Sequence, residues 1–148
     1  MYRIYGVTVG TSPAAVLSCI WAYIEVNGPP REIILFPSPK ARPVAETVRK
    51  AVEKAWPEVG RCSIVEIPEY DVERAAEIIY GVFRERRRLG SIHVDVTPGR
   101  KSMSIAVYKA ALDAGAEKVF YLHLRDDEFK ETLYPLIPVG ARKLVRLR

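Results

Sequence analysis

Apolar and polar positions alternate from Tyr2 to Val9 in a stretch rich in Tyr, Ile and Val, a pattern that predicts a β-strand. Gly10-Thr11-Ser12-Pro13 punctuates it. Ser12 suits an N-cap and Pro13 a first helical turn, and Val16, Ile20 and Tyr23 or Ile24 then form an apolar stripe that runs out at Asn27-Gly28. The cycle repeats. Glu32 to Phe36 is a short apolar strand broken by Pro37-Ser38-Pro39-Lys40, and Val44, Val48, Val52 and Ala55 recur at helical spacing up to Trp56-Pro57. Arg61 to Ile67 predicts a third strand, and Asp71 caps a third helix with Ala75, Ile78, Ile79, Val82 and Phe83 inward, ending near Gly90. Ser91 to Val96 is a fourth strand, Thr97 to Arg100 a turn, and Lys101 to Gly115 a helix with Met103, Ala106, Val107 and Ala110 inward. Lys118 to Leu124 is the fifth strand. Between Leu133 and Leu147 two short apolar runs flank Pro138-Val139-Gly140, which predicts a terminal hairpin.

Four consecutive strand–helix units imply right-handed crossovers and helices on both faces of the sheet. The expected fold is therefore α/β: a Rossmann-like three-layer sandwich with a mainly parallel sheet of order 3-2-1-4-5 and a C-terminal β-hairpin extension. One domain is expected over residues 1–148, with its core in about 1–125 and the extension in about 130–148. In this order strands one and four are neighbours whose following helices leave to opposite faces, so a crevice opens beyond their carboxyl ends. Two loops border it, Gly10 to Pro13 and Thr97 to Ser102.

Composition narrows the function. The chain carries 23 Lys+Arg against 18 Asp+Glu, a net charge of +5 that favours an anionic partner. Cys19 and Cys62 lie far apart with no Cys/His cluster, so neither zinc nor any other metal is expected, nor a cofactor, and a reduced cytoplasmic setting is the default. The apolar stretch Pro13 to Val26 is interrupted by Ser18 and Glu25 and is shorter than the roughly 20 residues of a membrane span. No membrane insertion or export is expected. Glutamine is absent and Asn27 is the single asparagine, a bias against thermolabile amides that points to a thermophilic source.

The two loops carry the candidate chemistry. Gly10, Thr11, Ser12 and Pro13 offer a close backbone approach, two hydroxyls and a helix N-terminus, which together suit a phosphate, although an ordinary helix cap has the same residues. Asp95-Val96-Thr97-Pro98-Gly99-Arg100-Lys101-Ser102 adds a strand-end carboxylate, a glycine, two cations and two hydroxyls at a second helix start. Cations there oppose the helix dipole unless an anion intervenes. Ser38 and Lys40, at the same sheet edge, are further candidate contacts, although turn formation alone accounts for that loop. Known nucleotide motifs do not fit: a P-loop would need glycine at position 94, which is Val94, and the first loop lacks the spaced glycines of a dinucleotide fingerprint. Arg84 to Arg88 closes a helix, where cations suit the dipole, so it reads as a solvated face; Trp21 and Trp56 read as packing anchors, and no DNA binding is expected.

The pair Gly10-Thr11-Ser12-Pro13 and Asp95-Val96-Thr97-Pro98-Gly99-Arg100-Lys101-Ser102-Met103 resembles the two hallmark motifs of the CRISPR-associated Rossmann fold (CARF) domains, Gly-x-Ser-Pro after strand one and Asp-x-Thr-Gly-Gly-Thr-Lys-x-Met after strand four. Pro98 replaces the first glycine of the second motif and Arg100 its usual small hydroxyl residue. The resemblance implies a homodimer that binds cyclic oligoadenylate, the type III CRISPR second messenger, across its two-fold axis, with cyclic tetra-adenylate the expected ring. Family members usually carry an effector. Arg87 and His93 match the Arg-x4–6-His spacing of a HEPN ribonuclease but straddle a helix end and a strand. The chain therefore resembles the standalone ring nucleases, which degrade the messenger and switch antiviral signalling off.

Such cleavage needs no metal, because the ribose 2′-OH itself attacks the adjacent phosphate when held in line. Arg100 and Lys101 are the expected stabilisers of the phosphorane and Ser12 the residue that fixes the scissile phosphate. Asp95 is expected to orient Lys101 or cap the loop, and His93 and His123 fall within strands. The alternatives are a non-catalytic sensor or sponge for the same ring, acting through a separate partner, and an enzyme acting on a mononucleotide or sugar phosphate.

Overall fold

Each strand that is followed by a helix is answered by a parallel strand, because a helix long enough to cross the sheet returns the chain to its starting edge. A computed structural model describes residues 2–148; Met1, the first position of the expected domain, lies outside them. The elements are β1 (Arg3–Val9), α1 (Pro13–Asn27), β2 (Glu32–Pro37), α2 (Arg42–Ala55), β3 (Arg61–Ile64), α3 (Val72–Arg87), β4 (Ser91–Asp95), α4 (Lys101–Asp113), β5 (Lys118–Leu124) and β6 (Arg142–Arg146). They form one six-stranded sheet of order β3-β2-β1-β4-β5-β6, parallel except for the antiparallel β5–β6 hairpin. The expected Rossmann-like sandwich and strand order are those observed.

Burial assigns the layers. Tyr5, Val7 and Val9 of β1 pack with Val16, Ile20 and Tyr23 of α1 and with Ala45, Val48 and Val52 of α2 on one face. Ile4, Ile34, Phe36, Ile92 and Val94 pack with Ala75, Ile79 and Phe83 of α3 and with Met103, Ala106, Val107 and Ala110 of α4 on the other. Strands buried on both faces read as near-continuous apolar runs, as β2 does. Trp21 and Trp56 meet edge to face, ring centroids 5.3 Å apart, where α1 passes the end of α2.

Two details differ from the sequence reading. Ladder geometry ends β3 at Ile64, although Val65 and Ile67 still donate backbone hydrogen bonds to Leu35 and Pro37 of β2 (both 2.9 Å). The C-terminal hairpin pairs β6 with β5, Phe120 opposite Arg146 and Leu124 opposite Arg142. The first apolar run, Leu133 to Ile137, forms a 3-10 turn over Tyr134–Leu136, since Pro135 lacks the N–H a ladder needs. Tyr134 packs with Cys19, Ala22 and Leu122, and the Arg142 guanidinium lies 3.8 Å from the centroid of its ring.

Among the described residues no helix is long and apolar enough to cross a membrane. Cys19 is buried and Cys62 half-buried, and both are free thiols.

Candidate functional site

The crevice forms where the chain leaves β1 and β4, whose registers align Val7 with Asp95. Glycine makes the closeness possible. A Cβ on Gly10 would stand 2.9 Å from the Gly99 Cα, and Gly99 itself has φ of +88°, open to glycine at little cost. The buried Thr8 hydroxyl clamps the second loop by donating to the Pro98 carbonyl at 2.5 Å. Replacing Gly10 by Ala is therefore expected to push the loops apart and destabilise the fold by about 1–2 kcal/mol, read from urea unfolding; unchanged stability would mean the loops part freely.

The two helix starts differ. Ser12 caps α1, its Oγ accepting from the Ala15 N–H at 3.2 Å with Pro13 as the first helical residue. α4 starts at Arg100 with no side-chain cap, which leaves its N-terminal dipole available to an outside anion.

Two cavities flank this junction and share Thr11, Ser12, Ala15, Pro98 and Gly99 as a wall. The first, about 280 Å³, is also lined by Gly10, Ser38, Lys40, Glu69, Arg100 and Met103. The second, about 310 Å³, is lined by Cys19 and Thr97 and by Leu122, Leu124, Phe129, Lys130 and Glu131 of β5 and the segment after it. The structure thus gathers eight of the candidate residues, Gly10, Thr11, Ser12, Ser38, Lys40, Pro98, Gly99 and Arg100, around the first cavity, and Thr97 joins the second.

Pro13, Asp95, Lys101 and Ser102 line neither cavity. Asp95 is fully buried beneath the loop, where Oδ1 accepts from the Thr97 N–H at 2.8 Å and Oδ2 has no partner. Burial pushes its carboxyl up to about 6, against the pull of the Thr97 hydrogen bonds. The Cys19 thiol beside it is raised well above its ordinary range, by burial first and then by Asp95. Thr97 Oγ1 in turn accepts from the Leu122 N–H at 2.7 Å, so Asp95 and Thr97 brace the loop against β5. Ser102 Oγ donates to the Glu69 carbonyl at 2.6 Å, and Lys101 is exposed on the first turn of α4.

Glu69 is the residue that motif reading missed. Its carboxylate pairs with the Arg100 guanidinium, which also lies 5.9 Å from the centroid of the Tyr70 ring. The Arg100 hydrogen bond holds the Glu69 carboxyl below the usual range, and Glu69 raises Arg100. A cation at a helix start calls for an anion, and Glu66-Ile67-Pro68-Glu69, beyond the carboxyl end of the third strand, offered two carboxylates at the same edge of the sheet. Phe129, Lys130 and Glu131 left no signal, because their segment has neither strand nor helix periodicity.

The histidines lie elsewhere. His93 is buried, bonded to the Tyr23 hydroxyl at 2.7 Å and to Glu117 Oε1 at 2.8 Å, and burial lowers its pKa. Arg87 ends α3 while His93 lies inside β4, so the HEPN-like spacing corresponds to two separate elements. Among the described residues no three His, Cys, Asp or Glu side chains gather as a metal site.

The family model of CRISPR-associated protein NE0113 matches residues 66–147, more than half of the chain, from the end of β3 through the second motif to β6. The chain belongs to the NE0113 family of CRISPR-associated proteins. Solved structures share the fold of this family member. Can2 from Sulfobacillus thermosulfidooxidans, in complex with cyclic tetra-adenylate, superposes with a TM-score of 0.65 at 17% identity, covering 84% of this chain and 32% of its own. Protein VC1899 from Vibrio cholerae does so at 0.60 and 13%, covering 80% and 30%. A type III CRISPR defence DNA nuclease activated by cyclic oligoadenylate gives 0.60 and 20%, covering 84% and 19%. The NE0113-family chain thus spans a third or less of these structures, and the likeness is one of fold, that of the CRISPR-associated Rossmann domain its two motifs indicated. No curated protein matches it.

Proposed function

We propose that this protein binds cyclic oligoadenylate, cyclic tetra-adenylate by preference, across a homodimer interface and cleaves it as a metal-independent ring nuclease that ends type III CRISPR signalling. The contact between Gly10 and Gly99 carries this reading: it sets the capped start of α1 and the uncapped start of α4 around one crevice, with Ser12, Lys40 and Arg100 on its wall. Backbone N–H groups at two helix starts, hydroxyls and cations are what a ring of phosphodiesters requires. The fold shared with a protein solved with cyclic tetra-adenylate supports the choice of ligand.

In the reaction the ribose 2′-oxygen forms a bond to the adjacent phosphorus as the bond from phosphorus to the 5′-oxygen breaks. The 2′-OH proton leaves to solvent, and the 5′-oxygen takes a proton from it. The nucleophile belongs to the substrate, so the protein supplies alignment and charge. Arg100 and Lys101 stabilise the phosphorane, and Ser12 with the N-terminal amides holds the scissile phosphate. The test is a single-turnover incubation with cyclic tetra-adenylate and, separately, cyclic hexa-adenylate in excess EDTA. Linear products ending in 2′,3′-cyclic phosphate are expected, faster from the four-membered ring. Ser12→Ala is expected to cost about 1 kcal/mol of stability through the lost cap and to lower turnover more than affinity; unchanged cleavage would remove Ser12 from the chemistry.

One observation favours the second reading, a sensor or sponge: His93 is committed to Tyr23 and Glu117, and neither histidine lines either of the two cavities at the crevice, so no imidazole stands there as a base. A ring that stays intact while bound to the dimer selects that reading.

A further inference from the structure

Among the described residues three side chains carry charge on the wall of the first cavity, each from a different connection: Lys40 after β2, Glu69 after β3 and Arg100 at the start of α4. Two cations against one carboxylate leave a single positive charge. The second cavity, with Lys130 and Glu131, has one of each sign. A phosphodiester carries one negative charge at neutral pH, whereas a phosphomonoester carries close to two, its second proton leaving near pH 6.

The carboxylate is held in place. Ser102 Oγ donates to the Glu69 backbone carbonyl at 2.6 Å, and the Arg100 guanidinium engages the side chain at Oε1, so main chain and side chain are both tied to the start of α4. Only 16% of the Glu69 side chain is exposed, against 59% of that of Arg100. Arg100 keeps the carboxyl ionised through the neutral range, and Lys40 adds to the pull. Glu66, on the same connection, is turned instead to Arg42 at 3.4 Å and lines neither cavity.

We propose that Glu69 is a specificity-determining residue of this site: its fixed carboxylate matches the first cavity to a phosphodiester and turns phosphomonoesters away. The inference rests on the phosphate-binding reading of the crevice and names what that crevice refuses. A ligand seated on Arg100 shares the guanidinium with Glu69 and lies close to its carboxylate. The second charge of a monoester meets that carboxylate after Lys40 and Arg100 are already matched. In a partly solvated cleft one such unmatched charge is worth about tenfold or more in affinity. Every phosphate of cyclic oligoadenylate is a diester, while AMP, ADP and ATP offer the same base and sugar with a doubly charged terminal phosphate. Lys101, which lines neither cavity, supplies the further cation that the doubly charged phosphorane calls for during cleavage.

Two small ligands isolate the charge. 5′-AMP and its methyl ester, adenosine 5′-methyl phosphate, have the same base and sugar and differ by about one negative charge above pH 7. NMR titration is expected to show the wild type binding the ester about 10-fold more tightly than AMP. Glu69→Gln, which keeps the size of the side chain, is expected to abolish or reverse that preference, and Glu69→Asp to retain it. Glu66→Gln is expected to behave as the wild type does, and far-UV circular dichroism checks the fold of each variant. An unchanged preference in Glu69→Gln overturns the proposal, as does a wild type that favours AMP. A wild type that ignores cyclic tetra-adenylate, yet prefers the ester and loses that preference in Glu69→Gln, removes the ring reading and leaves the charge selection standing. A wild type that binds the ring but takes AMP and its ester equally does the reverse.

Discussion

Replacing Lys101 by Ala is expected to weaken the binding of cyclic tetra-adenylate and to slow its cleavage about 100-fold. In the proposed function Lys101, exposed on the first turn of α4 beside its uncapped N-terminus, gives the ring phosphates an ammonium group, and alanine removes it. Equilibrium binding and single-turnover cleavage read the two effects separately. Ring affinity at the wild-type level in Lys101→Ala would sink the phosphate clamp. Added salt is expected to narrow the gap in ring affinity between the two proteins, as screening weakens what the lysines contribute.

Asp95→Asn is expected to make the protein more stable above pH 6 and to flatten the dependence of its stability on pH. The carboxyl ionises near 3.8 in the unfolded chain and near 6 when buried, so below about pH 4 both states hold the proton and nothing is lost. Between about 4 and 6 the folded protein holds a proton that the unfolded chain has released. Stability therefore falls as pH rises through this window, and above it the fold bears a buried carboxylate at a cost of about 3 kcal/mol. Asn keeps the shape and the acceptor for the Thr97 N–H while removing the charge. His93, whose pKa burial lowers, contributes a slope of the other sign below about pH 6.5, and it cancels in the difference between variant and wild type. Urea unfolding from pH 4 to 8 gives that difference; parallel curves would mean that Asp95 is charged at no cost or protonated throughout.

Topology was legible because apolar periodicity and turn residues agree at each junction. Ser12-Pro13 and Asp71 start helices where their side chains cap N–H groups, and the inward residues read for the fourth helix are its buried ones. The junction of the two loops followed from strand order alone. What escaped was whatever depends on contacts between distant segments without periodicity. Nothing local in Glu69 indicates that it pairs with Arg100, and Phe129 to Glu131 come to the second cavity only because the chain turns back between β5 and β6. Asp95, expected to orient Lys101 or to cap the loop, lies under the loop and accepts from its Thr97 N–H, since a strand-end residue on the α1 face points into the layer, where it meets Cys19.

The first strand made is the one that waits longest for its second neighbour. β1 pairs with β2 on one edge and with β4 on the other. On the ribosome the β2 edge can close once Pro37 has emerged, whereas the β4 edge waits for Asp95. At about 5–20 residues per second that interval is on the order of seconds, long against the microseconds in which a helix or hairpin forms. Throughout it the nascent chain presents an open strand edge flanked by Ile4, Tyr5, Val7 and Val9, the kind of surface that holding chaperones cover and that neighbouring nascent chains pair with. A strand paired on both edges in the finished protein is the one left with an open edge longest during its synthesis.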